Sequence, residues 1–183
     1  MRFRATPLPG LLEVLAEPAE DARGRFLRSW CETEFAAAGI DFRPVQASIS
    51  ENRAQHTLRG MHWQAMPAAE RKLVRCLRGA AFDVVIDLRP GSPTHRRWHA
   101  VELSDARHNA VLIPRGCAHG FLTLTEECWL EYLIDAPHAP AAARGLRWDD
   151  PAIGIAWPAA PAVISARDAG WPDLGPDLGP DHG

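Results

Sequence analysis

From residue 42 to residue 134 the chain alternates apolar and polar residues in short runs, each cut by a turn signal before it could form a long helix. The runs fall at 43–48, 58–64, 72–78, 82–88, 98–103, 110–113, 121–125 and 129–134, with an earlier one at 11–16. Between them stand R-G-A at 78–80, R-P-G-S-P at 89–93 and P-R-G-C at 114–117, whose Gly and Pro residues suit tight turns. Many short strands at this spacing require an all-β sandwich or barrel, and a single jelly roll accommodates them all. Ser29 is placed to cap a helix over 30–38, with Glu32 three residues on and Gly39 as its stop, so short helices flank the barrel. D-A-R-G-R-F at 21–26 reads as a charged turn built on Gly24.

Beyond residue 135 the chain turns rich in Pro and Ala and ends in the repeat D-L-G-P-D-L-G-P-D. This divides it into a barrel domain over 1–168 and a Pro/Gly-rich tail over 169–183 that lacks the apolar content to fold alone. A net charge of −3 and a pI near 6.2 give no electrostatic case for nucleic acid or a membrane surface as partner. Pro7, Pro9 and Glu13 interrupt any secretory apolar segment, and no run reaches membrane-spanning length. Cys31, Cys76, Cys117 and Cys128 show no C-x-x-C pairing. The expectation is free thiols in a cytoplasmic protein.

The densest chemistry lies between Thr57 and Lys72, in T-L-R-G-M-H-W-Q followed by E-R-K. In the run 128–134 the even positions Cys128, Leu130, Tyr132 and Ile134 make the more apolar face, which turns the only tyrosine inward. Lys72 shares a face with Val74 and Cys76 and so enters the barrel at its rim, where an inward ammonium needs a partner. P-R-G-C-A-H at 114–119 has the P-x-G-x-x-H form of the second cupin motif, which points His119 into the mouth of the barrel. The matching first motif needs H-x-H and a later Glu, but Gln64 replaces the second histidine. His62, Glu70 and His119 are then the remaining candidate ligands for Fe or Zn, and the poor donor Gln64 argues against metal. Without metal or other cofactor, the same side chains suit proton transfer next to a ketone: His62 as base, Lys72 beside the enolate oxygen and Tyr132 as acid.

The ordered string L-R-G-M-H-W-Q, K-L-V-R-C-L-R-G, F-D-V-V-I-D-L-R, I-P-R-G-C-A-H-G-F, R-G-L-R-W-D-D-P-A-I-G-I and S-A-R-D closely resembles the dTDP-4-dehydrorhamnose 3,5-epimerase family over about residues 21–168. The resemblance implies a metal-free, homodimeric cupin barrel acting on a 4-keto-6-deoxyhexose carried on dTDP. It implies His62 as general base with Asp168 as its carboxylate partner, and Tyr132 as proton donor. Lys72, Arg59 and His119 then surround the sugar, Arg23 and Gln46 bind the nucleotide, and Arg167 of S-A-R-D stands at the ligand. Strict alternation would separate Arg59 from His62, so Gly60 is expected in a bulge that brings both to one face. The chain departs from the family pattern at Arg28, Pro137, His138, Ala143 and Arg167. Chemistry residues are retained and ligand-periphery residues altered, which leaves open inversion at C3, C5 or both, a related nucleotide sugar, and a sugar-binding barrel without turnover.

Overall fold

The computed structural model describes residues 1–175. In chain order its strands are β1 (Arg2–Ala5), β2 (Leu12–Leu15), β3 (Ala19–Asp21), β4 (Gly24–Phe26), β5 (Gln46–Asn52), β6 (Thr57–Gln64), β7 (Lys72–Arg78), β8 (Ala80–Asp87), β9 (Trp98–Ser104), β10 (Asn109–Ile113), β11 (Cys117–Thr123), β12 (Cys128–Ile134), β13 (Ala143–Gly145) and β14 (Val163–Ile164). Two short helices, α1 (Glu32–Ala37) and α2 (Ala166–Ala169), complete the fold. One sheet runs β1-β2-β10-β7-β12-β5 and the other β13-β6-β11-β8-β9, with β14 parallel to β6. Every other pairing is antiparallel, and the two sheets face each other as a cupin-type jelly-roll barrel.

The interior is built from alternate residues of both sheets. Val74 and Cys76 of β7, Val111 and Ile113 of β10 and Cys128 and Leu130 of β12 meet Ala81 and Val85 of β8, Leu103 of β9 and Phe121 of β11. Each sheet is also covered outside. Phe35 and Phe42 lie with Leu73, Ala110 and Leu112 on one, while Leu146, Ile153 and Leu174 lie with Met61, Trp63, Val84 and Ile86 on the other. Burial on both faces explains why β10 and β11 are buried at every position and read as near-continuous apolar runs.

The helix and several strand ends differ from the sequence expectation. Ser29 caps nothing: α1 starts at Glu32 with Cys31 at its N-cap and no side-chain cap. The Ser29 carbonyl instead accepts from the buried Arg75 guanidinium, which holds the chain out of a helix at that point. At the other end Gly39 takes φ +74°, with Gly39 N–H bonded to Ala36 O and Ile40 N–H to Phe35 O, a Schellman stop as expected. The 43–48 run begins its strand only at Gln46, two residues after Pro44, which has no N–H to give a ladder. The 21–26 turn is the tip and second strand of the exposed hairpin β3–β4. At the C-terminus, packed structure continues past the expected boundary at 168: Leu174 is 5% exposed, and Arg147 N–H bonds to Pro172 O at 3.0 Å. The repeat at 176–183 lies outside the described residues. Among the described residues, no helix is long and apolar enough to cross a membrane.

Candidate active site

The mouth of the barrel is organised by a fault in β6. His62 pairs with His119 of β11 and Arg59 with Phe121, so β6 carries one more residue than β11 across that interval. This is the bulge expected at Gly60, and it turns Arg59 and His62 to the same inner face. Only glycine fits: Gly60 has φ +146°, and a Cβ there would stand 2.6 Å from Gly120 Cα.

Asp168 reaches this point from the far end of the chain. The strand β14 lies along β6 at Thr57 and Leu58, and α2 follows directly, with the Ser165 hydroxyl accepting from Asp168 N–H at 3.0 Å. The carboxylate then lies 2.7 Å from His62 Nε2 through Oδ1 and accepts Gly60 N–H at 3.3 Å through Oδ2. Burial by itself would raise its pKa, but the hydrogen bond and charge of His62 and the Gly60 N–H hold it below the usual carboxylate range. His62 keeps 40% of its side chain exposed and lines a pocket together with Gln46, Lys72, Arg144, Arg167 and His138.

Lys72 has the partner its inward position demanded, Glu70, at 2.9 Å between Nζ and Oε1. Glu70 Oε2 is buried without a hydrogen-bond partner among the described residues. Deeper in the barrel, His119 Nε2 lies 2.8 Å from Asp83 Oδ2 and both side chains are almost fully buried. Burial pushes the Asp83 carboxyl up, against the opposing pull of His119 and Lys72. Tyr132 packs edge-on against His119 with ring centroids 5.9 Å apart. Its hydroxyl is driven well above the ordinary phenol range by burial and then by the Asp83 charge.

The expected site residues thus fall into four places. His62, Asp168, Lys72, Gln46 and Arg167 gather at the pocket, while His119 and Tyr132 stand behind it on β11 and β12. Arg59 donates Nε–H to Asn52 at 2.8 Å and is otherwise exposed, with its charge felt at Tyr132. Arg23 does not join them: it sits on the hairpin β3–β4, forked onto Asp21, and is not part of the pocket lining. Of the departures from the family pattern, His138 and Ala143 line the pocket, Pro137 accepts from Gln64 through its carbonyl, and Arg28 pairs with Glu34 of α1. The Gln64 amide is spent on Ala68, Pro137 and Ala139, tying two loops together. Among the described residues no three His, Cys, Asp or Glu side chains converge as a metal site would require.

Asp83 and Trp171 escaped the reading of the sequence. The signal for Asp83 was its register: it alternates with Ala81 and Val85, which places an acid on the inner face.

The family model for dTDP-4-dehydrorhamnose 3,5-epimerase matches residues 5–175. The chain belongs to that family. A dTDP-4-dehydrorhamnose 3,5-epimerase of Sinorhizobium fredii is 43% identical over 95% of this chain and 90% of its own. A 4-keto-6-deoxy sugar epimerase from the novobiocin cluster of Streptomyces spheroides superposes with a TM-score of 0.90 at 37% identity, covering 94% of this chain and 87% of its own. The Legionella pneumophila epimerase, solved with dTDP-4-keto-L-rhamnose, gives a TM-score of 0.89 at 32% identity over 94% of this chain and 92% of its own. Family membership makes the His62–Asp168 pocket the candidate active site.

Proposed function

We propose that this family member epimerises a dTDP-linked 4-keto-6-deoxyhexose by moving a proton off and back onto a carbon next to the ketone. The observation that carries the reading is the His62–Asp168 pair at the pocket, with Tyr132 on the facing sheet. Asp168 occupies His62 Nε2, which leaves Nδ1 to take the C–H proton, and the carboxylate stabilises the imidazolium that forms. The bonding electrons move into the ring as an enolate, and the Lys72 ammonium stabilises the charge on the former ketone oxygen. Tyr132 O–H then delivers a proton to the same carbon from the opposite face, the ketone re-forms, and the centre is inverted. Solvent returns a proton from His62 to the phenolate. Burial and the Asp83 charge keep the phenol protonated at neutral pH, and the enolate carbon, a stronger base than a phenolate, can still draw the proton from it.

The nucleotide end is served by Gln46 and by Arg23 from a second copy of the chain, while Arg59 and His119 stand at the sugar and Arg167 at the pocket wall. Arg23 stands on a hairpin carrying Phe26, 79% exposed, while Val45 and Ile49 lie 63% and 56% exposed at and just before the edge strand β5. Such an apolar edge fits a homodimer in which the hairpin crosses to the partner's pocket. The four free thiols fit a reducing, cytoplasmic setting.

Incubation with dTDP-4-keto-6-deoxyglucose in deuterated water, followed by NMR, tests the reaction. Label at C3, C5 or both is expected and locates the inverted centres; no label at either carbon overturns the reading.

A further inference from the structure

Trp171 lies just beyond the helix that carries Asp168, in a stretch whose composition reads as tail. Its position is anything but peripheral. The indole seats directly on Gly145, where any Cβ would collide with its five- and six-membered rings. Gly145 is in turn the β13 partner of His62 in the sheet. The indole meets the His62 imidazole edge-on, with centroids 6.5 Å apart and planes at 67°. The Arg167 guanidinium also lies over the ring at 5.1 Å, a cation–π contact with a residue of the pocket lining. Among the described residues the buried Trp171 Nε1–H meets no acceptor in full hydrogen-bond geometry, yet it lies near enough to Asp168 to help hold that carboxyl's pKa down. The burial of Leu174 three residues later anchors the segment that presents it.

We propose that Trp171 is a positioning residue for the base: it fixes the plane of His62, keeps water off Asp168, and ties Arg167 at the pocket rim to the same support. The inference rests on the epimerase reading of the site and adds to it a residue that contacts no reacting atom. Its physical basis is dielectric. A carboxylate shielded from water attracts an imidazolium more strongly than a solvated one, so the shield favours the proton arriving on the pair. The charged groups about His62 are Asp168 and Arg167 on α2, Arg144 on β13, and Glu70 and Lys72 at the start of β7. Among the described residues, His119, opposite it on β11, and His138 complete the set. Of these, Asp168 alone is hydrogen-bonded to the ring, and Trp171 acts on it.

The test is the pH profile of kcat for isotope incorporation, with substrate saturating. Trp171→Ala is expected to lower kcat roughly tenfold and to move the acidic limb to lower pH by about half a unit, because water reaching Asp168 weakens its hold on the protonated ring. Trp171→Phe, which keeps an apolar ring on Gly145, should stay within about threefold of the parent with its limb restored. An acidic limb unmoved in Trp171→Ala overturns the proposal even if kcat falls, since a loss of packing alone would reduce rate without moving the limb. Should Trp171→Ala fail to fold, the full-length parent protein still decides. The indole N–H resonance that disappears in Trp171→Phe is expected to shift with pH between about 5 and 8, where an imidazole can gain a proton, and to stop shifting in His62→Ala. A resonance that stays flat through that range overturns the proposal. That titration needs no substrate, so it judges Trp171 separately from the reaction, which stands or falls on label in the parent protein.

Discussion

Two histidine–aspartate pairs stand across from each other in this barrel, and their contacts are nearly the same. His62 meets Asp168 at 2.7 Å and His119 meets Asp83 at 2.8 Å, both through Nε2, and the two histidines are direct partners across β6 and β11. Their surroundings differ. His62 opens to the pocket, whereas His119 is almost fully enclosed. Asp168 has Gly60 N–H on its second oxygen, while the second oxygen of Asp83 is buried with no hydrogen-bond partner among the described residues. The carboxyl pKa values accordingly move apart, Asp168 down and Asp83 up. Equal distances therefore do not make equal chemistry; solvation and the remaining hydrogen bonds decide which pair can exchange a proton with a ligand. The outer pair suits a base. The inner pair suits a fixed polar support beside Tyr132.

The widest separation between the pairs should appear in catalysis. His62→Ala is expected to cut isotope incorporation by about 10³-fold or more, and Asp168→Asn by about 10²-fold, since the carboxylate acts through the ring. Asp83→Asn should cost about tenfold or less, because an amide can still meet His119 and the proton abstracted in the reaction never reaches it. The measurement is deuterium incorporation under saturating substrate, and an Asp83→Asn loss as deep as that of Asp168→Asn would erase the distinction. A smaller effect belongs to the acid. Tyr132→Phe should leave proton abstraction within about tenfold of the parent while inverted product falls further, because removal and return of the proton use different groups. Equal loss of wash-in and of inversion would place both steps on the same residue.

Much of this arrangement was legible in the chain, and the parts that were not share a cause. The inward face of β12, the rim position of Lys72 and the bulge at Gly60 follow from period-two alternation and from what a glycine between Arg59 and His62 must do. The motif P-R-G-C-A-H likewise turns His119 into the barrel. Asp83 was hidden because β8 is buried on both faces, so the strand shows little alternation to mark which face an acid occupies. The helix start was misplaced because the acceptor that Arg75 needs comes from Ser29, a contact 46 residues away in sequence. Trp171 and Leu174 were lost in a stretch dominated by Gly, Pro and Asp, where two apolar anchors suffice to dock a short segment but barely change its composition. The shared cause is contact from distant parts of the chain: the layer of Leu146, Ile153 and Leu174 over the outer face of β8, Arg75 on Ser29, and Gly145 under Trp171.

The finest test of the comparison is stability against pH. Asp168 has a folded-state pKa below its unfolded value near 3.8, so its ionised form stabilises the fold above that value, and the contribution fades as the pH falls through the folded pKa. Asp83 has the opposite sign. Its folded pKa is raised, so its contribution is present below the unfolded value and is lost as the pH rises through the folded one. Asparagine titrates at neither site. At pH 7.5, Asp168→Asn should therefore lower the melting temperature by a few degrees, about 1 kcal/mol being worth ~2–4 °C in a chain of this size, whereas Asp83→Asn should leave it unchanged or raise it. As the pH is taken below 4, the Asp168→Asn deficit should shrink, and any Asp83→Asn gain should vanish. Melting curves with the same downward shift for both variants at pH 7.5 would mean that the inner carboxylate is as well satisfied as the outer one. Access of His62 to the pocket would then be the whole of the difference between the pairs.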